Sequence, residues 1–139
     1  MRILITGGSG FIGSSLVRLF VRNENYDVLN IDKLTYAGSA NNLDDLTMNP
    51  HYKLLRGDIC DINLLEKAFA EFQPDQVYHL AAESHVDRSI SNPKPFIDSN
   101  ILGVFNILEI LKKQKKRLVH ISTDEVFGSL KTGSANEEY

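Results

Sequence analysis

The sequence predicts an α/β fold in which helices cover both faces of a parallel sheet. Short apolar runs rich in β-formers alternate along the chain with helical segments, and few residues separate them. This alternation is typical of strands joined by crossover helices, which makes neighbouring strands parallel. Polar and glycine-rich clusters follow the strands, at the edge where open α/β sheets bind ligands. We therefore expect a doubly wound sheet of five strands in the order 3-2-1-4-5, with a ligand site at its carboxyl edge.

The boundaries of these elements follow from turn and capping residues. Asp61 is a suitable N-cap for the helix after the third strand, and Pro74 helps to end that helix. The sequence contains no internal repeat, low-complexity tract or linker, and 139 residues suffice for one core, so we expect one domain. The predicted strands cover residues 2–6, 27–31, 52–56, 76–80 and 117–121, and the helices cover 11–23, 40–48, 61–72 and 95–114.

Composition excludes several classes of protein. A net charge of -3 argues against a nucleic-acid partner, and the basic cluster at residues 112–117 is typical of a solvated helix end. The single cysteine, Cys60, cannot form an intrachain disulfide. No stretch approaches the roughly 20 apolar residues that a membrane span needs, and the apolar run after Arg2 is too short for a signal peptide. We expect a cytoplasmic protein without a membrane partner.

The turn after the first strand is rich in glycine. It reads TGGSGFIG over residues 6–13, and Gly7, Gly10 and Gly13 fit G-x-x-G-x-x-G, while a start at Gly8 fits G-x-G-x-x-G. Glycines allow backbone N–H groups to approach a pyrophosphate, and the helix N-terminus beneath supplies partial positive charge. Three glycines can also form a plain turn. Their position between a strand and a helix, at the start of a strand–helix–strand unit, favours a dinucleotide loop.

An acid ends the second strand. Asp32 follows Gly13 by 19 residues, close to the spacing of an acid that binds the adenosine ribose. Because a carboxylate repels a 2′-phosphate, Asp32 favours NAD over NADP, although the neighbouring Lys33 could pair with such a phosphate. The alternative is a solvated carboxylate at a strand end.

The ends of the third and fourth strands offer further contacts. Asp58 either accepts a hydrogen bond from an adenine amino group, with Ile59 packed on the ring, or caps a turn. Ala81 and Ala82 would let a flat cofactor pass close to the backbone, with the Ser84 hydroxyl just beyond. His79 lies within a strand and is expected to be a hydrogen-bonded core residue. The histidines lack the short spacing of metal ligands, so we expect no metal.

Two hydroxyls and two acids follow the fifth strand. Ser122 and Glu125 match a capping box that would start a helix, but turn residues at 128–134 favour a loop. In a loop beside the cofactor, Thr123 would bind a substrate hydroxyl. Of Asp124 and Glu125, one would protonate a leaving hydroxide and the other would take a carbon-bound proton.

The helix at 95–114 has too many apolar residues for one stripe. A sheet can cover only one side of it, so its other side must meet another helix, another subunit or further chain.

Five segments, in this order and spacing, resemble the extended short-chain dehydrogenase/reductases, and among them the NAD-dependent sugar-nucleotide dehydratases and epimerases. The segments are TGGSGFIG, DKLTYAG, GDI, HLAAESHVDRSI and STDEVFG. The resemblance implies a Rossmann-type NAD-binding domain and a homodimer formed through the 95–114 helix. It also implies contacts to NAD from Phe11, Ile12, Asp32, Lys33, Leu34, Thr35, Asp58, Ile59, Leu80, Ala81, Ala82, Ser84 and Ser99.

The same resemblance implies a reaction. Ser84 and Thr123 would contact a nucleotide sugar, with Asp124 as general acid and Glu125 as general base. The Asp-Glu pair after Ser-Thr distinguishes dehydratases from epimerases of the superfamily. Dehydratases of this kind oxidise the sugar at C4 with NAD, eliminate water across C5 and C6, and return the hydride to C6.

One part of the family pattern is missing. No tyrosine has a lysine four residues later. The residues four positions after the first four tyrosines are Asn30, Ala40, Arg56 and Ala82, and Tyr139 is the last residue of the sequence. We therefore expect residues 1–139 to be an NAD-binding domain that lacks this pair and a sugar-nucleotide-binding domain, with weak or no activity alone. Two further interpretations stay open: an enzyme that acts on GDP-mannose or UDP-sugars, and a non-catalytic dinucleotide-binding module.

Overall fold

A computed structural model describes residues 1–130 and 132–138 of the chain. Its described part contains one five-stranded parallel sheet in the order β3-β2-β1-β4-β5, as predicted. All carboxyl ends therefore lie at one edge. The strands are β1 (Arg2–Thr6), β2 (Asp27–Asp32), β3 (Tyr52–Arg56), β4 (Gln76–His79) and β5 (Arg117–His120).

Helices connect the strands. The first, α1, continues directly into a π-helical turn, and a second π-helical segment joins α4 to α5 in one continuous helical run. The α-helices are α1 (Phe11–Arg18), α2 (Ile62–Phe72), α3 (Val86–Ser91), α4 (Lys94–Ile97) and α5 (Val104–Gln114). The π segments are Leu19–Asn23 and Asp98–Gly103, and 3₁₀ helices cover Ala40–Leu46 and Asp124–Phe127.

Two apolar cores cover the two faces of the sheet. On one face, α2 and α5 pack against Leu4, Ile31 and Val77. On the other face, α1, the π turn after it and the first 3₁₀ helix pack against Ile3, Ile5 and other buried residues. Successive strand residues alternate between the two cores, as the period of two in a strand requires. The sheet is thus doubly wound.

Local signals set the ends of α2. The carboxylate of Asp61 accepts a hydrogen bond from the Leu64 N–H at 3.0 Å, which confirms the predicted N-cap. The helix ends at Gln73, which adopts the left-handed conformation with φ of 49°. Pro74 follows immediately, so the chain cannot continue as a helix.

The structure differs from the predicted elements in several places. The predicted 40–48 helix is a 3₁₀ helix over Ala40–Leu46 with a kink at Leu43, and the predicted 11–23 helix becomes π-helical at Leu19. Residues 86–91 form the short helix α3, which the polar sequence did not indicate. The predicted 95–114 helix begins at Lys94 and contains a π segment over Asp98–Gly103. The acids after β5 lie in a single 3₁₀ turn capped by Thr123 rather than in an open loop. None of the described helices is long and apolar enough to cross a membrane.

Candidate active site at the carboxyl edge of the sheet

The glycine loop between β1 and α1 lies directly against its neighbours. Gly7 has φ of +74°, and a side chain there would place Cβ 2.6 Å from the Ala81 N atom. At Gly13, Cβ would lie 2.2 Å from the carbonyl oxygen of Gly7. Contacts below 3 Å are not tolerated by backbone atoms, so the loop can close only with glycine at both positions. The structure therefore contains the predicted tight turn, and Gly7 and Gly13 are required to form it.

A buried asparagine in β2 supports the loop. Asn30 accepts a hydrogen bond from the Gly8 N–H at 2.9 Å and donates to the Ser9 hydroxyl at 3.0 Å and the Tyr52 hydroxyl at 3.2 Å. These bonds satisfy an amide side chain that is fully buried. Sequence reasoning missed Asn30. The available signal was a polar residue in the middle of an apolar strand.

Asp32 fixes two turns at once. One oxygen of its carboxylate accepts the Ser9 N–H at 2.9 Å, and the other accepts the Leu34 N–H at 2.8 Å. Leu34 has φ of +58°, a conformation that is uncommon outside glycine. The bond from Leu34 to Asp32 stabilises this turn. Asp32 is only 8% exposed and lines the cavity beside the loop.

Lys33 and Asp58 form an ion pair beside this carboxylate. The Lys33 Nζ lies 2.5 Å from Oδ2 of Asp58, and Oδ1 of Asp58 accepts the Cys60 N–H at 2.9 Å. Partial burial acts to raise the pKa of Asp58, but Lys33 and the Cys60 N–H outweigh burial and hold this pKa below its usual range. The hydrogen bond to Asp58 raises the pKa of Lys33. Both groups are therefore charged at neutral pH.

The helical run after β4 holds the ends of two strands. The side chain of Asn100, in the π segment, accepts the Glu83 N–H at 2.9 Å and donates to the Glu83 carbonyl at 2.8 Å. Asn106, in α5, donates to the carbonyls of Ile59 at 3.1 Å and Cys60 at 3.2 Å. Neither asparagine was predicted. Their roles depend on contacts between residues 17 and 47 positions apart, which no local pattern reveals.

One cavity lies along these strand ends. The predicted residues that line it are Gly7, Gly10, Asp32, Lys33, Thr35, Asp58, Ile59, Leu80, Ala81, Ala82 and Ser99. Sequence reasoning missed five further lining residues: Ile31, Ala37, Gly38, Gly57 and Glu83. Five residues that were predicted to bind the cofactor lie outside the lining: Phe11, Ile12, Gly13, Leu34 and Ser84. Phe11 is 89% exposed at the start of α1, and Gly13 packs beneath the loop.

The acids after β5 follow the strand next to this cavity. Ile121 donates its N–H to the His79 carbonyl at 3.0 Å, so the chain leaves β5 beside the end of β4. The Thr123 hydroxyl accepts the Glu125 N–H at 3.3 Å and donates to Oδ1 of Asp124 at 3.1 Å. All three side chains are exposed and lie outside the lining of the cavity. Thr123 thus orients one acid while it caps the turn that carries both.

His79 is a core residue, as predicted. It is 1% exposed, and its Nδ1 lies 2.5 Å from the Thr6 hydroxyl oxygen. Burial, with a smaller effect from His120, lowers the pKa of His79 to about 4. Its ring stacks on that of His120 with centroids 5.0 Å apart. Within residues 1–130 and 132–138, no group of three or more metal-ligating side chains comes together.

The fold and the cavity define a parallel α/β protein of the Rossmann type, with its ligand cavity at the carboxyl edge of the sheet. The family model described as GDP-mannose 4,6 dehydratase matches residues 4–139. The chain belongs to this family.

Individual relatives are similar over nearly the whole chain. The dTDP-glucose 4,6-dehydratase of Haemophilus influenzae is 49% identical, over 94% of this chain and 41% of that protein. Among solved structures, a dTDP-glucose 4,6-dehydratase from Bacillus anthracis in complex with NAD has a TM-score of 0.87 and 40% identity, over 99% of this chain and 43% of that one. The Streptomyces venezuelae enzyme of the same name, with NAD bound, has a TM-score of 0.88 and 41% identity, over 97% and 43%. The chain thus spans about 40% of the length of these relatives.

Proposed function

We propose that this chain is the NAD-binding portion of a dTDP-glucose 4,6-dehydratase. The observation that supports this most directly is the position of three features at one edge of the sheet: the glycine loop, Asp32 and the Thr123–Glu125 turn. We infer the substrate from the names of the relatives and the cofactor from the NAD complexes of two of them.

The residues around the cavity fit NAD. The N–H groups of Gly8 and Ser9 are bound to Asn30 and Asp32, so the backbone N–H groups available to a pyrophosphate are those of the first turn of α1, which begins at Phe11 and carries partial positive charge. Asp32 would accept hydrogen bonds from the adenosine ribose hydroxyls, and Ile59 would pack on the adenine ring. When bound, NAD supplies reversible hydride transfer, so it can oxidise the sugar at C4 and reduce it at C6.

The chain would supply the proton transfers. In this proposal Asp124 protonates the hydroxide that leaves C6, and Glu125 takes the proton from C5. Thr123 and Ser84 contact the sugar nucleotide. The hydrogen bond between Thr123 and Asp124 supports these roles, because it orients the acid from the same turn that presents the base.

The tyrosine–lysine pair of the family is part of the same proposal. Residues 1–139 would form the NAD-binding domain, and the pair and a sugar-nucleotide-binding domain would belong to additional sequence. Tyr139, to which we assign no catalytic role, lies outside the described residues. A cytoplasmic location remains a prediction from the sequence.

We further propose a homodimer through the outer face of the 94–114 helical run. Ile97, Ile101, Phe105 and Leu108 are each 48–59% exposed, while Ile107, Ile110 and Leu111 on the inner face are buried. An apolar stripe of this length favours a protein partner, and the resemblance favours a second copy. Light scattering at high concentration tests this, and a clean monomer would contradict it.

A dehydratase that acts on GDP-mannose is the second candidate. The family model that matches the chain carries the description of a GDP-mannose dehydratase, which favours GDP-mannose over a UDP-sugar as the substrate of this second candidate. A non-catalytic dinucleotide-binding module is the remaining interpretation, and it would bind NAD but leave the nucleotide sugar unchanged.

Two measurements test the proposal. Calorimetric titration of the 139-residue chain with NAD should show binding, and Asp32→Ala should weaken it. In the complete gene product, Asp124→Asn and Glu125→Gln should each slow dehydration of dTDP-glucose by about 10²- to 10⁴-fold. Faster turnover of GDP-mannose would favour the second candidate, and faster turnover of a UDP-sugar would contradict both. Substantial conversion of dTDP-glucose by residues 1–139 alone would contradict the domain assignment.

A further inference from the structure

Three of the charged side chains at the ends of β2 and β3 line one cavity. Asp32 and Lys33 are consecutive at the end of β2, and Asp58 follows β3, the neighbouring strand. All three line the same cavity. If NAD occupies this cavity as proposed above, these residues surround the adenosine ribose, the place where NADP carries its extra phosphate.

Lys33 is the only cation among these three groups, and Asp58 already binds it. The Nζ to Oδ2 distance is 2.5 Å, which is short for an ammonium–carboxylate contact. The Lys33 side chain is 59% exposed and long enough to move, whereas that of Asp58 is 30% exposed. The position of Lys33 therefore depends on whether its partner is fixed.

The backbone fixes Asp58. Its Oδ1 accepts the Cys60 N–H at 2.9 Å, and its carbonyl accepts the Asp61 N–H at 3.0 Å, within the turn that leads to α2. Asn106 holds the same turn from α5 through the carbonyls of Ile59 and Cys60. Asp58 thus offers Lys33 a preformed partner.

The three charged groups that line the cavity here leave no net positive charge for a 2′-phosphate. Arg56, the last residue of β3, is exposed and lies outside the lining. Two carboxylates and one ammonium sum to a charge of -1, and the ammonium is already engaged. A phosphate there would have to displace Lys33 from Asp58 and would face both carboxylates. We infer that Asp58 is a determinant of dinucleotide specificity, which selects NAD over NADP by holding Lys33 in an ion pair. This inference rests on the proposed function and adds to it a role for a residue beyond Asp32.

A double-substitution experiment tests the inference. The ratio of NADP affinity to NAD affinity is measured by titration for the unsubstituted protein, for Asp58→Asn, and for Asp58→Asn combined with Lys33→Met. The ratio is the correct readout, because any contact of Asp58 with the adenine ring affects both dinucleotides equally. Asp75→Asn is the matched control. It makes the same change in net charge, but Asp75 pairs with Arg2 at the opposite end of the sheet.

We expect Asp58→Asn to raise the ratio by about fivefold, the size of effect that a partly exposed ion pair supports. The added Lys33→Met should abolish the gain, and Asp75→Asn should leave the ratio unchanged. An unchanged ratio in Asp58→Asn would overturn the inference, as would a gain that persists in the double variant. If the unsubstituted protein binds neither dinucleotide, the proposed function fails and the inference fails with it.

Discussion

The phenol of Tyr36 donates a hydrogen bond to Oε2 of Glu83 over 3.2 Å. Tyr36 lies in the loop after β2, and Glu83 lies after β4, so the bond passes over the end of the strand between them, β1. The guanidinium of Arg88 stacks on the Tyr36 ring with its carbon 3.8 Å from the centroid. Glu83 lines the cavity, and so do the residues next to the bridge in sequence, namely Thr35, Ala37 and Ala82.

We expect this hydrogen-bonded bridge to slow the dissociation of a bound dinucleotide. Tyr36→Phe removes the hydrogen bond but keeps the ring under Arg88, and we expect it to raise the NAD dissociation rate by about threefold, as loss of one partly exposed hydrogen bond predicts. Stopped-flow displacement measures this rate. Tyr78→Phe is the control, because it also removes a 3.2 Å hydrogen bond, to Gln76 at the opposite end of the sheet. Equal rates in the two variants would contradict the prediction.

Substitution of loop glycines by alanine should have different effects at Gly13 and Gly10. At Gly13 the added Cβ would meet the Gly7 carbonyl oxygen at 2.2 Å, whereas at Gly10 the nearest atom is 3.4 Å away. Overpacking of this severity costs about 1–3 kcal/mol, so Gly13→Ala should lower the free energy of unfolding by that amount. Gly10→Ala should keep normal stability but weaken NAD binding, because Gly10 lines the cavity. Urea denaturation and NAD titration separate the two effects, and equal stability of the two variants would count against this account.

Asn30 should contribute to stability through the loop. Asn30→Ala leaves the Gly8 N–H without its buried acceptor, and such a loss costs about 1–3 kcal/mol. The NAD affinity should fall as well, since Gly8 and Ser9 belong to the loop. Asn63→Ala, on the exposed side of α2, is the matched control, and we expect little change in its unfolding midpoint. If both variants denature at the same urea concentration, the supporting role of Asn30 is wrong.

Burial of His79 should make the stability depend on acid pH. Its pKa is about 4 in the folded chain, against 6.5 for the free group. Above pH 6.5 the group is neutral in both states and has no effect. As the pH falls from 6.5 to 4, the unfolded chain binds a proton that the folded chain does not, so stability falls by up to ~1.4 kcal/mol per pH unit.

The test compares how steeply the free energy of unfolding changes with pH, rather than its value at one pH. His79→Gln should be less stable at pH 7, because it alters the contact with Thr6, but its stability should fall less steeply over this pH range. His85→Gln, which changes an exposed histidine, serves as the reference. Parallel pH curves for His79→Gln and the unsubstituted protein would show that another group causes the loss.

The order of strands and helices, the glycine loop and the acid at the end of β2 could all be predicted without coordinates. Each of these depends on a local pattern: alternating apolar runs, a strand followed by glycines, or a capping residue such as Asp61. Patterns of this kind act over a few residues, so the amino-acid sequence is enough to recognise them. Polar residues after several strands also predicted the edge at which the cavity lies, because parallel strands share one carboxyl edge.

Which side chains meet at that edge depends on the three-dimensional arrangement of the chain. Lys33, considered from the sequence as a partner for a phosphate, pairs with Asp58 instead, and Asn30 and Asn100 hold the strand-end loops. These contacts join residues 17 to 25 positions apart, on elements whose distance the sheet order fixes. A polar side chain binds whichever group the fold brings within hydrogen-bonding distance, and residue type and spacing alone do not specify that group.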